Sequence, residues 1–374
     1  MREGSVPGRP NLLRLVNRNT ILMLLEQMET TSRSKLSALT GISLPTVSSI
    51  IKELVDEGWV KEVGDGMSRG GKPPQLIQLD AGARYICAVQ MNQDQIRIWV
   101  TNLVGEMIAE ERRQVITNEP KPLCEDVAKA VKALIQKSGI DSSLLLGVGV
   151  AVPGVVNDQG IVSQAPEFNW DAEPIQQLLS DALKDEVVVE NDVRLAVMGE
   201  AWRKSGFTET MVYVHLSKGI GAGVLINGEI YKGAHFSAGE IGNMIVDPPA
   251  VNALLMKRDK GKDHQATFES LYGLDAYKDS LKSAKAESDW VIEYLTYGLV
   301  NIISILDPKV IVFGGEMPLM IDDFLNKVKE RLSLYVAIMP ELNITPLGND
   351  APLFGATKIV LENHRSHVTW TSIK

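Results

Sequence analysis

The sequence predicts an α/β protein in two parts: a small helical module closed by a hairpin, and a larger body of two strand-and-helix lobes around a cleft. Three observations lead there. Residues 11–57 carry apolar residues at helical spacing, with cap residues between the runs. Residues 59–63 and 75–79 read as strands on either side of a glycine-rich, cationic stretch. From Ala81 the pattern changes to strands and helices, and a three-strand unit occurs twice.

Length and composition bound the reading. A chain of 374 residues with 45% hydrophobic and 23% charged content is globular material with length for two or three cores. The longest apolar stretch, residues 146–156, contains Pro153 and falls short of the roughly 20 residues that a membrane helix needs. No apolar run ahead of Asn11 reads as a secretory signal. Cys87 and Cys124 fit a reducing cytoplasm and are too few for a Cys-rich zinc site. Charge is unevenly spread: residues 1–80 hold ten Lys/Arg and nine Asp/Glu, so that of the net −9 the remainder carries −10. Arginines 2, 9, 14 and 18 make the start basic. Such a distribution permits nucleic-acid contact at one end only.

In the N-terminal module, residues 11–28 predict a helix through Leu12, Leu13, Leu15, Val16, Ile21, Leu24 and Leu25. Ser32 caps a second helix with Leu36 and Leu39 on its apolar face, and Gly41 ends it. Ser43 caps a third, running to about Glu57, with Val47, Ile50, Ile51, Leu54 and Val55 as the buried stripe. Pro45 falls in its first turn, where a missing N–H costs little. Thr46, Ser48, Ser49 and Lys52 occupy the other face. Short polar groups and one cation suit a major groove, and equally suit a solvated face of a helical bundle. The hairpin that follows favours DNA. Three helices and a hairpin whose loop carries Arg69 and Lys72 make a winged helix-turn-helix, the wing reaching phosphate or minor groove. One such unit reads one half-site, so a homodimer or tetramer on a near-palindromic operator is expected.

In the body, residues 85–91, 95–102 and 106–115 predict strands, 125–137 a helix, and 144–152 a buried strand ending in Pro153-Gly154. The second unit falls at 211–216, 221–226 and 229–232, with Asn227-Gly228 as a hairpin turn. Two such units, each followed by helices, predict the actin-like, ribonuclease H-like two-lobed architecture. The expected division is 1–80 for the DNA-binding head, 81–200 for the first lobe, and 201–374 for the second, its last helix returning to the first.

An ordered set of motifs sharpens this reading. It comprises residues 147–154 (GVGVAVPG), 165–170 (APEFNW), 189–192 (VEND), 217–223 (SKGIGAG), 238–242 (AGEIG) and 311–315 (IVFGG). In order and spacing it resembles the ROK family of repressors, open reading frames and kinases over nearly the whole chain. The N-terminal head makes the xylose-repressor-like branch the nearer resemblance. It implies a sugar held by Gly154, Asn169, Asn191, Asp192 and Glu240, with Asn243 and Glu269 beside them. Asp192 matches the position at which the kinases hold their base. The chemistry is apt, since carboxylates accept from vicinal hydroxyls and an amide both donates and accepts. Without the neighbouring motifs, Glu190 and Asp192 would read as helix capping after a strand.

The departures from the family pattern matter as much. Its kinases place Asp-x-Gly-Gly-Thr at the first strand turn, where this chain has Gln90-Met91-Asn92-Gln93-Asp94. A neutral Gln90 is a poor metal-organising group, and side chains at 92 and 93 obstruct close approach to phosphate. The family's zinc-binding histidine is Asn243 here, and no cysteine follows Cys124. His264 alone cannot supply three or four ligands. The basic run 257–262 reads as a solvated loop. The expectation is therefore a cytoplasmic, sugar-responsive transcriptional regulator, most simply a repressor of carbohydrate-utilisation genes such as those for xylose, with no enzymatic activity, cofactor, metal or membrane. DNA would be held by Ser43, Pro45, Thr46, Ser48, Ser49, Lys52, Arg69 and Lys72. The alternatives are an ATP-dependent sugar kinase carrying a DNA-binding domain, and a sugar-binding scaffold whose head meets protein.

Overall fold

The computed structural model describes residues 9–66, 73–204, 207–247, 278 and 289–371. In the head, α1 (Arg9–Gln27), α2 (Arg33–Thr40) and α3 (Leu44–Asp56) pack with β2 (Val60–Asp65) and β3 (Gln75–Leu79). Ser32 caps α2 by accepting from the Lys35 N–H at 3.3 Å, and Gly41 closes it in the left-handed region. Ser43 caps α3 by accepting from the Thr46 N–H at 3.4 Å. Both caps satisfy donors that helix geometry leaves without a partner. Val47, Ile50, Ile51 and Leu54 of α3 meet Ile21, Leu25, Leu36, Ile77 and Leu79 in one core.

Several details depart from the sequence expectations. Leu13 and Val16 are 61% and 49% exposed, and Leu39 is also exposed. The first half of α1 meets α3 through polar groups instead: Arg14 pairs with Glu53, and Arg18 reaches Glu57 at 3.0 Å. A short strand β1 (Thr31–Ser32) pairs antiparallel with β3, so the hairpin is part of a three-stranded sheet. The wing residues Arg69 and Lys72 lie outside the described residues.

The body begins with β4 (Tyr85–Met91), β5 (Gln95–Asn102), β6 (Met107–Gln114), α4 (Pro120–Lys137) and β7 (Leu145–Val152). A small hairpin, β8 (Val155–Val156) and β9 (Val162–Ser163), then leads to α5 (Ile175–Leu183), β10 (Val187–Asn191) and α6 (Asp192–Arg203). The first sheet has the order β10-β7-β4-β5-β6, with β7 parallel to both neighbours. α4 starts at Pro120 instead of 125, because Pro120 and Pro122 sit in its first turn, where no N–H is needed.

The second sheet is built from β11 (Met211–Leu216), β12 (Ile220–Ile226), β13 (Glu229–Ile230), β14 (Val310–Gly314) and β15 (Glu341–Ile344) in the order β13-β12-β11-β14-β15. β13 stops short of the expected Lys232, whose side chain turns toward the first sheet. Helices α7 (Asp289–Leu306), α8 (Met317–Met320) and α9 (Phe324–Leu332) cover this sheet with a core of Leu295, Leu299, Phe313, Phe324 and Val328. The other sheet has its own core with α4 and α5. The last helix, α10 (Ala351–Thr371), packs along α6 and on β4 and β7, while α6 also touches β11 and β12. The far part of α10 reaches the head. Glu26 of α1 pairs with Arg365 and lies 3.5 Å from Lys358, and Val360 and Leu361 join the head's core.

Candidate functional site

Where β10 runs into α6, the chain places Asn191 and Asp192 at the carboxyl end of a first-sheet strand, on the helix that also meets β11 and β12 of the second sheet. Asn191 is the cap of α6: its Oδ1 accepts from the Arg194 N–H at 2.9 Å. Its Nδ2 donates to the Gly154 carbonyl at 2.9 Å. Gly154 has φ 93°, and a Cβ there would stand 2.7 Å from the Ser163 carbonyl, so only glycine brings that carbonyl to Asn191. The capping role thus falls to Asn191, leaving the neighbouring carboxylates for other contacts.

Asp192 is half-buried, with Oδ1 accepting from the Val193 N–H at 2.8 Å and from Asn191 Nδ2 at 3.3 Å. Burial pushes its carboxyl up to about 7, against the Val193 hydrogen bond, and the charges of Glu167 and Glu240 push the same way. The charges of two other segments, at Glu167 and Glu240, therefore bear on Asp192. Glu240 is exposed on the loop after β13. The preceding Gly239, at φ 95°, accepts from the Ala222 N–H of β12 at 2.7 Å, and a Cβ on it would overlap the Ala222 carbonyl at 1.9 Å. The loop is thereby fastened against the second sheet with its carboxylate turned outward.

Asn243 lies exposed in the same turn, its N–H donating to the Glu240 carbonyl at 3.1 Å. Asn169 lies exposed at φ 61° in the turn bridged by Ala165 and Trp170, and its two chain neighbours, Phe168 and Trp170, stack on each other. Among the described residues no hydrogen bond joins Asn169 or Asn243 to Asn191 or Asp192. Glu269 lies outside the described residues, as do His264 and the basic run 257–262.

A buried ion-pair network lies immediately behind the site. Glu190, 1% exposed, lies 3.2 Å from Arg194 Nε and 2.9 Å from Lys232 Nζ. Arg194 donates to the Val156 carbonyl at 3.0 Å, and Lys232 also reaches Asp158 at 3.1 Å. Sequence reasoning gave Arg194 no role, took Lys232 only as the end of a strand, and offered capping for Glu190 only in the absence of the neighbouring motifs. The available signal was a carboxylate directly after Val187, Val188 and Val189 in a buried strand, since such a charge needs a partner. Glu167 was likewise overlooked, two residues before Asn169.

At the first strand turn, Gln90 is 7% exposed with its Oε1 unpartnered among the described residues, opposite Arg97 of β5. Arg97 reaches Asp350, just ahead of α10, at 2.6 Å. The Asn92 N–H donates to the Gln95 carbonyl at 2.9 Å and closes the hairpin. In the head, Ser43, Pro45, Ser49 and Lys52 are exposed, and Thr46 and Ser48 partly so. Ser49 accepts from Arg14 at 3.2 Å, and Lys52 makes no ion pair among the described residues.

Comparison with known proteins matches these two parts separately. The family model described as ROK family matches residues 86–363, and the one described as MarR family matches 17–62. The chain is 25% identical to the xylose repressor of Bacillus subtilis (strain 168), over 95% of this chain and 97% of that protein. It is also 25% identical to a glucokinase of Halalkalibacterium halodurans, over 76% of this chain and 97% of that one. A crystal structure described as a ROK family transcriptional regulator, homolog of the E. coli MLC protein, superposes with a TM-score of 0.80. It is 17% identical and is covered to 99%, against 96% of this chain.

Proposed function

Because the chain belongs to the ROK family, we propose that it is a sugar-responsive transcriptional repressor that binds an operator through its head and a small sugar through the cleft. The observation that carries this reading is the joining, in one chain, of an exposed polar α3 face to a site where Asn191 and Asp192 lie together and the charge of Glu240 bears on Asp192. The repressor named among its relatives spans nearly the same length, head included, whereas the related glucokinase matches a smaller share of this chain.

In this reading, the hydroxyls of the sugar donate to Asp192 and Glu240, while Asn169 and Asn243 offer amides from the exposed turns and Glu269 a further carboxylate. Gly154 fixes Asn191. α3 enters a major groove with Ser43, Pro45, Thr46, Ser48, Ser49 and Lys52, and Arg69 and Lys72 follow from the wing. The chain works as a dimer or higher assembly in the cytoplasm, divided into a head (1–80), a first lobe (81–200) and a second lobe (201–374). Sugar shifts operator affinity by its differential affinity for two arrangements, for which about 1 to 3 kcal/mol of coupling is usual.

Phosphoryl transfer is not part of the proposal. It requires a phosphate clamp and a metal-organising carboxylate, and Gln90 and Asn92 offer neither. Operator binding titrated with xylose and a panel of other pentoses, hexoses and amino sugars tests the reading; operator affinity that ignores every sugar shown to bind would end it. The kinase alternative predicts sugar-dependent ADP release from ATP and magnesium, abolished in Asp192→Asn.

A further inference from the structure

Lys232 belongs to the second sheet's side of the cleft, two residues beyond β13, yet its ammonium group lies among residues of the first sheet's side. Nζ is 2.9 Å from Glu190 Oε2 on β10 and 3.1 Å from Asp158 in the β8–β9 turn. The Glu190 side chain is 2% exposed, and its backbone neighbours are the site residues: Glu190 Oε1 accepts from the Asn191 N–H at 2.7 Å. At its other end, the Lys232 carbonyl accepts from the Ala238 N–H at 3.1 Å, closing the base of the loop that carries Glu240. One residue therefore grips the Glu240 loop by its backbone and the Asn191-Asp192 strand by its side chain.

We propose that Lys232 is the positioning residue of the cleft, linking the two lobes so that Glu240 and Asp192 face one ligand. The argument begins with charge. Glu190 and Asp158 present two carboxylates on the first side, and Arg194 supplies one cation, which also donates to the Val156 carbonyl. Lys232 supplies the second cation and completes the balance of this four-member group. Partial burial disfavours its charge, but Glu190 and Asp158 outweigh that and hold the ammonium protonated. Breaking a buried pair leaves an uncompensated charge, so the lobes have a reason to stay in the arrangement that keeps Lys232 seated. Lys232 touches no ligand in this account; it acts through the loop it anchors. What the aligned carboxylates hold rests on the sugar reading above, whereas the link between lobes does not.

The test separates these two claims. Spin labels introduced by Lys129→Cys on α4 and Glu330→Cys on α9 report the distance between lobes, both positions being exposed while Cys87 and Cys124 are buried. In the ligand-free protein, Lys232→Met should shift or broaden the distance distribution, and Lys232→Arg should reproduce that of the parent. An unchanged distribution in Lys232→Met overturns the proposal whatever the ligand. In a calorimetric titration with the tightest-binding sugar of the panel, Lys232→Met should weaken binding by at least about tenfold, and Lys232→Arg should recover most of it. Combined with Glu240→Gln, Lys232→Met should cost no more than Glu240→Gln alone. Losses that simply add would show that Lys232 does not act through the loop. A parent protein that binds none of the sugars removes the sugar reading, and the lobe distances still decide the role of Lys232.

Discussion

Trp59, at the start of the wing hairpin, stacks on His364 of the last helix with ring centroids 5.8 Å apart. Beside this stack, Asn19 donates to the Arg365 carbonyl at 3.3 Å, and the Glu26 carboxylate sits between Lys358 and Arg365. The head is thus seated on α10 by an aromatic stack, a carboxylate bound by two cations, and an apolar seam.

Glu26→Ala should loosen that seat. Glu26 is 9% exposed and its two partners 13% each, so removing the carboxylate takes a shared partner from two largely buried cations, Lys358 keeping Glu362 at 3.6 Å, at a cost of about 3 kcal/mol. Hydrogen exchange should quicken in α1 and β2 and stay unchanged in the first sheet. Equal protection of the head in variant and parent would contradict the seat.

Asp192→Asn should stabilise the protein at alkaline pH. The folded carboxyl titrates at about 7, above its unfolded value near 3.9, so the unfolded chain loses its proton first as pH rises. Stability present below the unfolded value is therefore lost between about pH 4 and 7. Asparagine has no proton to lose. Its melting midpoint should exceed that of the parent by roughly 2 °C or more at pH 8, the gap closing toward pH 4.

Gly239→Ala should abolish ligand binding while leaving operator binding in place. The φ of 95° and the Ala222 carbonyl at 1.9 Å from the new methyl force the loop off β12, at a cost of at least about 1 kcal/mol. Thermal-shift titration with sugars reads the loss, and electrophoretic mobility of operator DNA reads what remains. Undiminished sugar response would show that the loop's attachment to β12 is dispensable.

Lys52→Ala should weaken operator binding evenly across sequence variants and lower the salt slope by about one. Lys52 is exposed at the polar face of α3 with no ion pair among the described residues, so its charge is available to phosphate. A change confined to one base position, with the slope intact, would assign it to base reading instead.

What could be read from sequence was local. Ser32 and Ser43 announce helix starts because a cap needs only its next three residues, and both hydrogen bonds are present. Apolar periodicity placed α3 and β4, β5 and β7 to within a residue. Contacts between distant segments left no such trace. The Thr31–Ile77 pairing, the Lys232–Glu190 ion pair and the seat of Glu26 on α10 each join parts of the chain with no shared periodicity. Leu13 and Val16 mislead for a related reason: helical spacing reports a helix, but only its neighbours decide which side is covered. At the junction of β10 and α6, the Glu-Asn-Asp motif marks where strand gives way to helix, while the assignment of capping to Asn191 required its hydrogen bond to the Arg194 N–H.

The seat on α10 also has a consequence for how the molecule is made. The head leaves the ribosome before α10 does, and its helices and hairpin share most of a core within their own residues, so the surface that orients it arrives only after the body between them. A nascent chain therefore holds a folded reading head with no fixed direction, and acquires its bearing only when α10 has emerged. Products truncated before the far part of α10 keep the head and lose the orientation, which makes the Glu26–Arg365 seat a checkpoint on whether the body has been built.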